Sequence, residues 1–302
     1  MATASPLEDI AQHVTRLATE VAAFLHESQP PWIGTPAGGE LSHDGEYAGA
    51  WGNHPVQQVL LLPATLLLHT DDHLSGIAGV LRAPETVMTH QTLTRAALAS
   101  CAVTHHVLEP GIGVRERLRR GMNVYLLSFA EQINMTDDQH LDALVQPFRR
   151  MEDIVNAARA HGFGVSKATR GLKKIRRPID VPHLGVAPLS EMELVRQLVS
   201  GDDDDPVGLL VYRMGSAFTH GQPHVLNMLN LQRLSSPVEG MGLARVGVST
   251  AEVVRDTAPI VYGVHRTMLR ACEHYGWDIR RWQTVAQPAV RYWAEGLQAL
   301  PR

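Results

Sequence analysis

The sequence predicts an all-α fold, an antiparallel helical bundle with extra N- and C-terminal helices. Long segments repeat apolar residues at spacings of three and four, helix-capping signals separate them, and no run alternates apolar and polar residues over the length of a strand.

Ser5-Pro6-Leu7-Glu8 offers an N-cap, a proline at the first helical position and a capping-box glutamate. Ile10, Val14, Leu17, Val21 and Leu25 follow on one face, so the first helix ends near His26. Residues 27–54, with QPPWIGTPAGG, lack periodicity and read as loop. A second helix is expected from about Val56 to Arg82, and a third from Pro84 or Glu85 to Leu108, closed by Glu109-Pro110-Gly111. The fourth starts at Val114 and carries Leu118, Met122, Tyr125, Phe129 and Ile133. Thr136-Asp137-Asp138-Gln139 is a capping box for a helix bearing Leu141, Leu144, Val145, Phe148, Met151 and Val155, which Gly162 stops.

Residues 162–189 read as a basic loop, with Lys167, Arg170, Lys173, Lys174, Arg176 and Arg177 and no acid between Asp153 and Asp180. Helix resumes at Ser190, breaks at GDDDD, and resumes from Pro206 through LLVYRMGSAFTHG. Further helices are expected from Pro223 to Leu234, from the Ser249–Glu252 cap to Cys272, and from Arg281 to Gln298. The organisation is thus 1–55 as N-terminal helix and loop, 56–161 as the bundle, 162–189 as the basic loop, and 190–302 as a helical part completing the same core.

With 302 residues, 44% of them hydrophobic and 19% charged, the chain can bury a large core. A formal charge of −4 gives no whole-protein field for a polyanion, so any such binding needs a local basic patch. Cys101 and Cys272 stand far apart and outside any CxxC spacing, which argues against a disulfide framework or zinc knuckle. MATASPLEDIAQ lacks the basic region of a signal peptide, and VLLLPATLLL is ten residues with a proline inside, too short to span a bilayer. A cytoplasmic protein without a membrane partner is the expectation. Sixteen histidines direct attention to imidazole chemistry.

Arg213 and His220 are seven residues apart, about two turns, and so share a helical face with Ser216 and Thr219 near it. A guanidinium beside an imidazole fits metal-independent RNA cleavage: arginine stabilises phosphorane charge and histidine moves a proton. Gly221 is expected at C′, where the helix dipole favours a protonated His220. The same residues fit a packing role, with His220 capping carbonyls and Arg213 paired to a carboxylate. Tyr212, Arg95 and His106 are candidate substrate-binding residues, as are Lys173, Lys174, Arg176 and Arg177 for phosphate groups. Arg95 and His106 fall three turns apart and frame the small-residue stretch AALASCAV. His69 and His73, at i and i+4, together with Asp72, have metal-ligand spacing, and they equally fit a hydrogen-bonded polar layer. Arg115, Arg117, Arg119 and Arg120 open the fourth helix, where they either pair with Glu109 and Glu116 or serve an anion.

DDHL, the LEP after the third helix, the R-x-R-x-R-R start of the fourth, and YRMGSAFTHG together resemble actinobacterial all-α proteins. The S-x-x-x-H-G ending is similar to that of the HEPN superfamily. This resemblance, over residues 56–235, implies a bundle, often dimeric, some of whose members are ribonucleases using an arginine–histidine pair while others only bind. It points to Arg213 and His220, with Met214 standing where active members carry a polar residue. RNA or a phosphate-bearing small molecule is the implied partner, and no cofactor is expected.

A second resemblance is to class I terpene cyclases, which would require magnesium and an isoprenyl diphosphate. Asp71-Asp72, Arg176 and Arg177, Asn227 or Asn230, and Arg291-Tyr292 occur in the family's order but not its spacing. Another helical small-molecule enzyme, and a non-catalytic binding protein, complete the alternatives.

Overall fold

Each helix must bury one apolar stripe, and five of them do so by closing a ring. The computed structural model describes residues 6–27, 30, 32–49, 51–83, 88–135, 144–170, 179–200, 207–223, 230–234 and 243–299. In chain order these form α1 (Pro6–Glu27), α2 (Pro36–Leu41), α3 (Asp44–Tyr47), α4 (Pro55–Arg82), α5 (Thr89–Val107), α6 (Val114–Met135) and α7 (Val145–Ala160). There follow β1 (Val165–Arg170), β2 (Ile179–Leu184), α8 (Glu191–Ser200), α9 (Val207–Thr219), β3 (Asn230–Leu234), β4 (Leu243–Gly247), α10 (Thr250–Tyr275) and α11 (Ile279–Gln298). The fold is all-α in its core, as expected.

The ring runs α1–α4–α5–α10–α11 and back to α1. Leu17, Leu60, Leu67, Leu74, Leu98, Cys101, Ile260, Val264, Met268, Trp282 and Trp293 fill its centre, all 2% exposed or less. Burying a side chain of this size contributes about 1.5–3 kcal/mol, so the ring is the main source of stability. The buried Trp293 indole donates to Thr257 Oγ1 at 2.9 Å. VLLLPATLLL belongs to α4, with Val59, Leu60, Leu62 and Leu67 in the core, and no helix among the described residues is long and apolar enough to cross a membrane. The sulfhydryls of Cys101 and Cys272 are both buried and pushed up to about 12 by loss of solvent, which makes them unreactive.

Two layers flank the ring. On one side α6 packs on α4, with α7 and the β1–β2 hairpin against α6; on the other, α8 and α9 pack on α5. The expected Ser249 capping box closes α10: Ser249 Oγ accepts from Glu252 N at 3.2 Å and Glu252 Oε2 from Ser249 N at 2.7 Å. The Ser5 and Thr136 capping residues lie outside the described residues.

Three segments differ from the sequence reading. The stretch 27–54 contains α2 and α3, and the buried Asp44 carboxylate accepts from Val56 N at 2.7 Å and His54 Nδ1 at 2.9 Å, so it caps α4 across a loop. Part of the 162–189 basic loop is the antiparallel β1–β2 hairpin, in register from Val165↔Leu184 to Arg170↔Ile179. Asn123 of α6 supplies what a third strand would: its amide donates to Leu184 O at 3.1 Å and accepts from Leu184 N at 2.7 Å. The helix expected over Pro223–Leu234 is replaced at 230–234 by β3, paired with β4 from Asn230↔Gly247 to Leu234↔Leu243. In both hairpins pairing with a distant segment overrides local propensity.

The four arginines of α6 pair within the fold. Arg117, 3% exposed, donates from Nε to Glu40 Oε1 and Oε2 at 3.0 and 2.8 Å and reaches the carbonyls of Val107, Glu109 and Ile112 at the end of α5. Arg119 and Arg120 bind Glu116, and Arg120 also binds Glu109. Arg115 donates to the carbonyls of His161 and Gly162 and sits over the Phe163 ring at 3.9 Å.

Replacing Arg117 by Met should cost about 3–5 kcal/mol in urea denaturation, because Glu40 is left as an uncompensated buried charge, and Glu40→Met in the same chain should recover much of the loss. A second prediction concerns pH. Burial, aided by Arg270 and Arg266 near His105 and by Arg117 near His274, lowers both imidazoles to about 3; burial and Arg120 lower His106 to about 4. These histidines are neutral in the fold but protonate in the unfolded chain below about pH 6.5, so stability is full above that value and falls as pH drops toward 4. At pH 5 His105 and His274 should each cost on the order of 2 kcal/mol. Denaturation midpoints measured from neutral pH downward check this, and His105→Gln should flatten the profile.

Candidate functional site

Three helices present matching stripes. Gln91, Thr94, Arg95 and Leu98 on α5, Val211, Met214, Gly215 and Phe218 on α9, and Glu252, Arg255, Asp256 and Pro259 on α10 each follow the i, i+3, i+4, i+7 spacing of one helical face. With Val195 of α8, Leu210 and Tyr212 of α9, and Val248, they line a partly open cavity of about 330 Å³. Small-molecule pockets commonly span roughly 300–1,000 Å³ and are apolar with a few placed polar groups.

The polar groups are held across the α5–α10 seam. Gln91 Nε2 donates to Asp256 Oδ2 at 2.6 Å, Arg255 Nε to Oδ1 at 3.1 Å, and His90 Nε2 stands 3.5 Å from Oδ2. Burial by itself pushes the Asp256 carboxyl up, but His90, the Gln91 hydrogen bond and the Arg255 charge outweigh it and hold the group below its usual value. An ionised carboxylate only accepts, so it fixes the Gln91 amide with nitrogen toward Asp256 and leaves Oε1 as the free end.

Arg95 reaches the cavity over a gap in α9. A Cβ on Gly215 would lie 3.1 Å from Arg95 Cβ and 3.5 Å from its Cγ, so the absent side chain is what lets the arginine stem cross. A helical glycine costs about 1 kcal/mol relative to alanine, and here that cost secures a contact. Arg95 Nη2 donates to Tyr212 Oη and to Glu191 Oε1, both at 3.2 Å, and its guanidinium lies 5.2 Å from the Tyr212 ring centroid.

Gln91 Oε1, Thr94 Oγ1 and Arg95 Nε find no hydrogen-bond partner among the described residues. Gln91 is 7% and Thr94 4% exposed. A buried polar atom without a partner costs about 1–3 kcal/mol, and such atoms occur here and at other places among the described residues, Thr104, His265 and Trp282 among them. On the facing helix, Pro259 has no N–H to give the Arg255 carbonyl four residues before it.

Of the sequence candidates, Arg95 and Tyr212 meet in this cavity. His106 does not join them: it sits at the end of α5 beside Arg120, whose Nη1 donates to His106 O at 2.8 Å. Arg213 and His220 are exposed and Ser216 half-buried, and none of the three lines the cavity. Gly221 is at C′ as expected, with φ 57°, and bonds from Gly221 N to Phe218 O and Gln222 N to Ala217 O close α9. His69 and His73 meet at 4.1 Å between ring centroids, and His69 Nδ1 bonds Ser100 Oγ at 2.8 Å, while Asp72 is exposed. Among the described residues no group of three or more His, Cys, Asp or Glu could hold a metal ion. Asp71-Asp72 and Arg291-Tyr292 belong to α4 and α11, which give the cavity no residue, and Asn230 lies in β3. Lys173, Lys174, Arg176, Arg177 and Asn227 lie outside the described residues.

Sequence reasoning missed Gln91, Thr94, Asp256 and the α9 face Val211–Met214–Gly215–Phe218. The signal was partial: polar residues occupy core spacing on α5 and α10, but on α9 the periodicity that groups Val211, Met214, Gly215 and Phe218 groups Arg213 and His220 equally well. A second depression of about 460 Å³, lined by Ile33, Gly34, Thr35, Gly38, Gly39, Leu41 and Ser42, holds no titratable group, and Ile33 there is 88% exposed.

Asp256→Asn should loosen the α5–α10 seam and lower stability by about 1–3 kcal/mol at neutral pH, since Arg255 and His90 lose a charged acceptor. The Asp256 carboxyl is below its unfolded value, so its contribution is present above about pH 3.9 and vanishes as pH falls through the depressed value. The gap between wild type and variant, followed by denaturation against pH, should therefore close only in strong acid. No protein family, curated protein or solved structure matches the chain, which leaves the α5–α8–α9–α10 cavity as the ground for a functional reading.

Proposed function

We propose that this protein binds a small, mainly apolar molecule in the α5–α8–α9–α10 cavity. The observation that carries the reading is a partly open cavity of about 330 Å³ whose lining combines apolar side chains with the Arg95–Tyr212 pair. Leu98, Val195, Val211, Met214, Phe218 and Val248 would take the apolar body, and Arg95 with the Tyr212 hydroxyl would orient the polar end. This is the binding-protein alternative among the readings of the sequence, and it needs neither metal nor RNA.

The ribonuclease reading would use a different side of α9, where Arg213 and His220 are exposed. The two readings separate cleanly. Nile red, a neutral apolar dye, should bind with a blue-shifted emission, and Met214→Trp, which fills the cavity, should weaken it by at least about tenfold, or 1.4 kcal/mol. His220→Ala should leave dye binding unchanged. Dye binding that ignores Met214→Trp would remove the cavity reading, and loss of labelled RNA in chelator that requires His220 would favour the ribonuclease instead.

A further inference from the structure

A pair of imidazoles stands apart from the cavity, on α4. His69 and His73 are four residues apart and so share a helical face. Leu67, Thr70 and Leu74, which flank them, are 0% exposed and anchor this stretch of the helix in the core. The two rings meet edge to face with centroids 4.1 Å apart. His69 is exposed, and only its Nδ1 is engaged, with Ser100 Oγ of α5 at 2.8 Å. His73 is half-buried, forms no hydrogen bond among the described residues, and has neither ring nitrogen among the buried unpartnered atoms, so both reach solvent.

We infer that His69 and His73 chelate a divalent transition-metal ion of the zinc or nickel class on the outer face of α4, with water filling the remaining positions. An ion bound about 2.0–2.1 Å from one nitrogen of each ring lies about 3.2 Å from each centroid, and the 4.1 Å separation then subtends roughly 80° at the ion. Widening the pair by roughly 0.4–1.1 Å reaches the angles of octahedral or tetrahedral coordination, a change within small side-chain rotations.

Ser100 acts on the ligand rather than on the ion. Coordination through His69 Nε2 selects the tautomer whose Nδ1–H donates to the serine hydroxyl, and that bond holds the ring in place. Asp72 is exposed beside His73 and adds negative potential where the cation binds. Among the described residues no third His, Cys, Asp or Glu completes the set, so the ion is exchangeable rather than structural. Imidazole suits zinc, nickel and copper, whereas magnesium and calcium prefer oxygen ligands. α4 gives the cavity no residue, so the site is independent of the small-molecule reading.

The test is titration of the full chain with zinc chloride, read by calorimetry and by the thermal midpoint. Zinc should saturate a site below about 1 mM and raise the midpoint, and magnesium chloride at the same concentration should do neither. His69→Gln and His73→Gln should each weaken zinc binding by at least about tenfold and lose the zinc-dependent rise, because a lone imidazole forms no chelate. His43→Gln, at another histidine on the surface, should leave both unchanged. Each variant is compared with its own metal-free midpoint, so a loss of stability is not read as a loss of binding. Curves that coincide for the unaltered protein and both glutamine variants, no saturation below about 1 mM, or equal occupancy by magnesium overturn the inference.

Discussion

A partly buried carboxylate, Asp256, governs the seam beside the α5–α8–α9–α10 cavity. It joins α10 to α5 through Gln91 and His90 while Arg255 balances its charge, and α8 and α9 pack on the same α5. A buried charge must be matched or it unfolds its surroundings, so the residues that match it are held in one arrangement. That arrangement fixes the spacing of the cavity walls. Arg117 works by the same logic on the other side of the ring, tying α2 and the end of α5 to α6 through Glu40. There burial raises the Glu40 carboxyl despite the arginine beside it, so the pair is a structural clamp rather than a large source of stability.

α5 carries both halves of the architecture. Ala97, Leu98, Cys101 and Ala102 join the core of the ring, while Gln91, Thr94 and Arg95, one to two turns earlier, line the cavity. The ring supplies far more buried apolar area than the cavity wall, so the wall can keep polar atoms unpartnered without losing the fold. Local rules are broken at Thr94, at Gly215 and at Pro259, all three on the same cavity.

The histidines follow a different principle. His105, His106 and His274 are desolvated near arginines, and each is held neutral well below its usual value. His69 stacks edge-on with His73 and bonds Ser100, and His220 follows the end of α9 in solvent. An abundance of imidazole in the composition thus corresponds to several separate packing solutions, because side chains on α4, α5 and α10 and just past α9 converge only where those helices do.

How much was legible in advance follows from the range of the forces involved. The long helices were legible in the sequence: α4 and α6 begin within a residue or two of where apolar spacing places them, and α10 begins at the Ser249–Glu252 cap and runs three residues past Cys272, since helix hydrogen bonds and caps act within four residues. The sequence by itself also determined that α9 ends at Gly221 in a left-handed turn. Only the tertiary structure decided which side of α9 turns inward. Arg213 and His220 share a face by the same periodicity as Val211, Met214, Gly215 and Phe218, and the choice between the two faces was made by α5 and α8, not by α9. The β1–β2 hairpin was hidden for the same reason, its partner Asn123 lying 61 residues from Leu184. Periodicity assigns residues to faces; the burial of a face, and so the existence of the cavity, depends on neighbours that approach from distant parts of the chain.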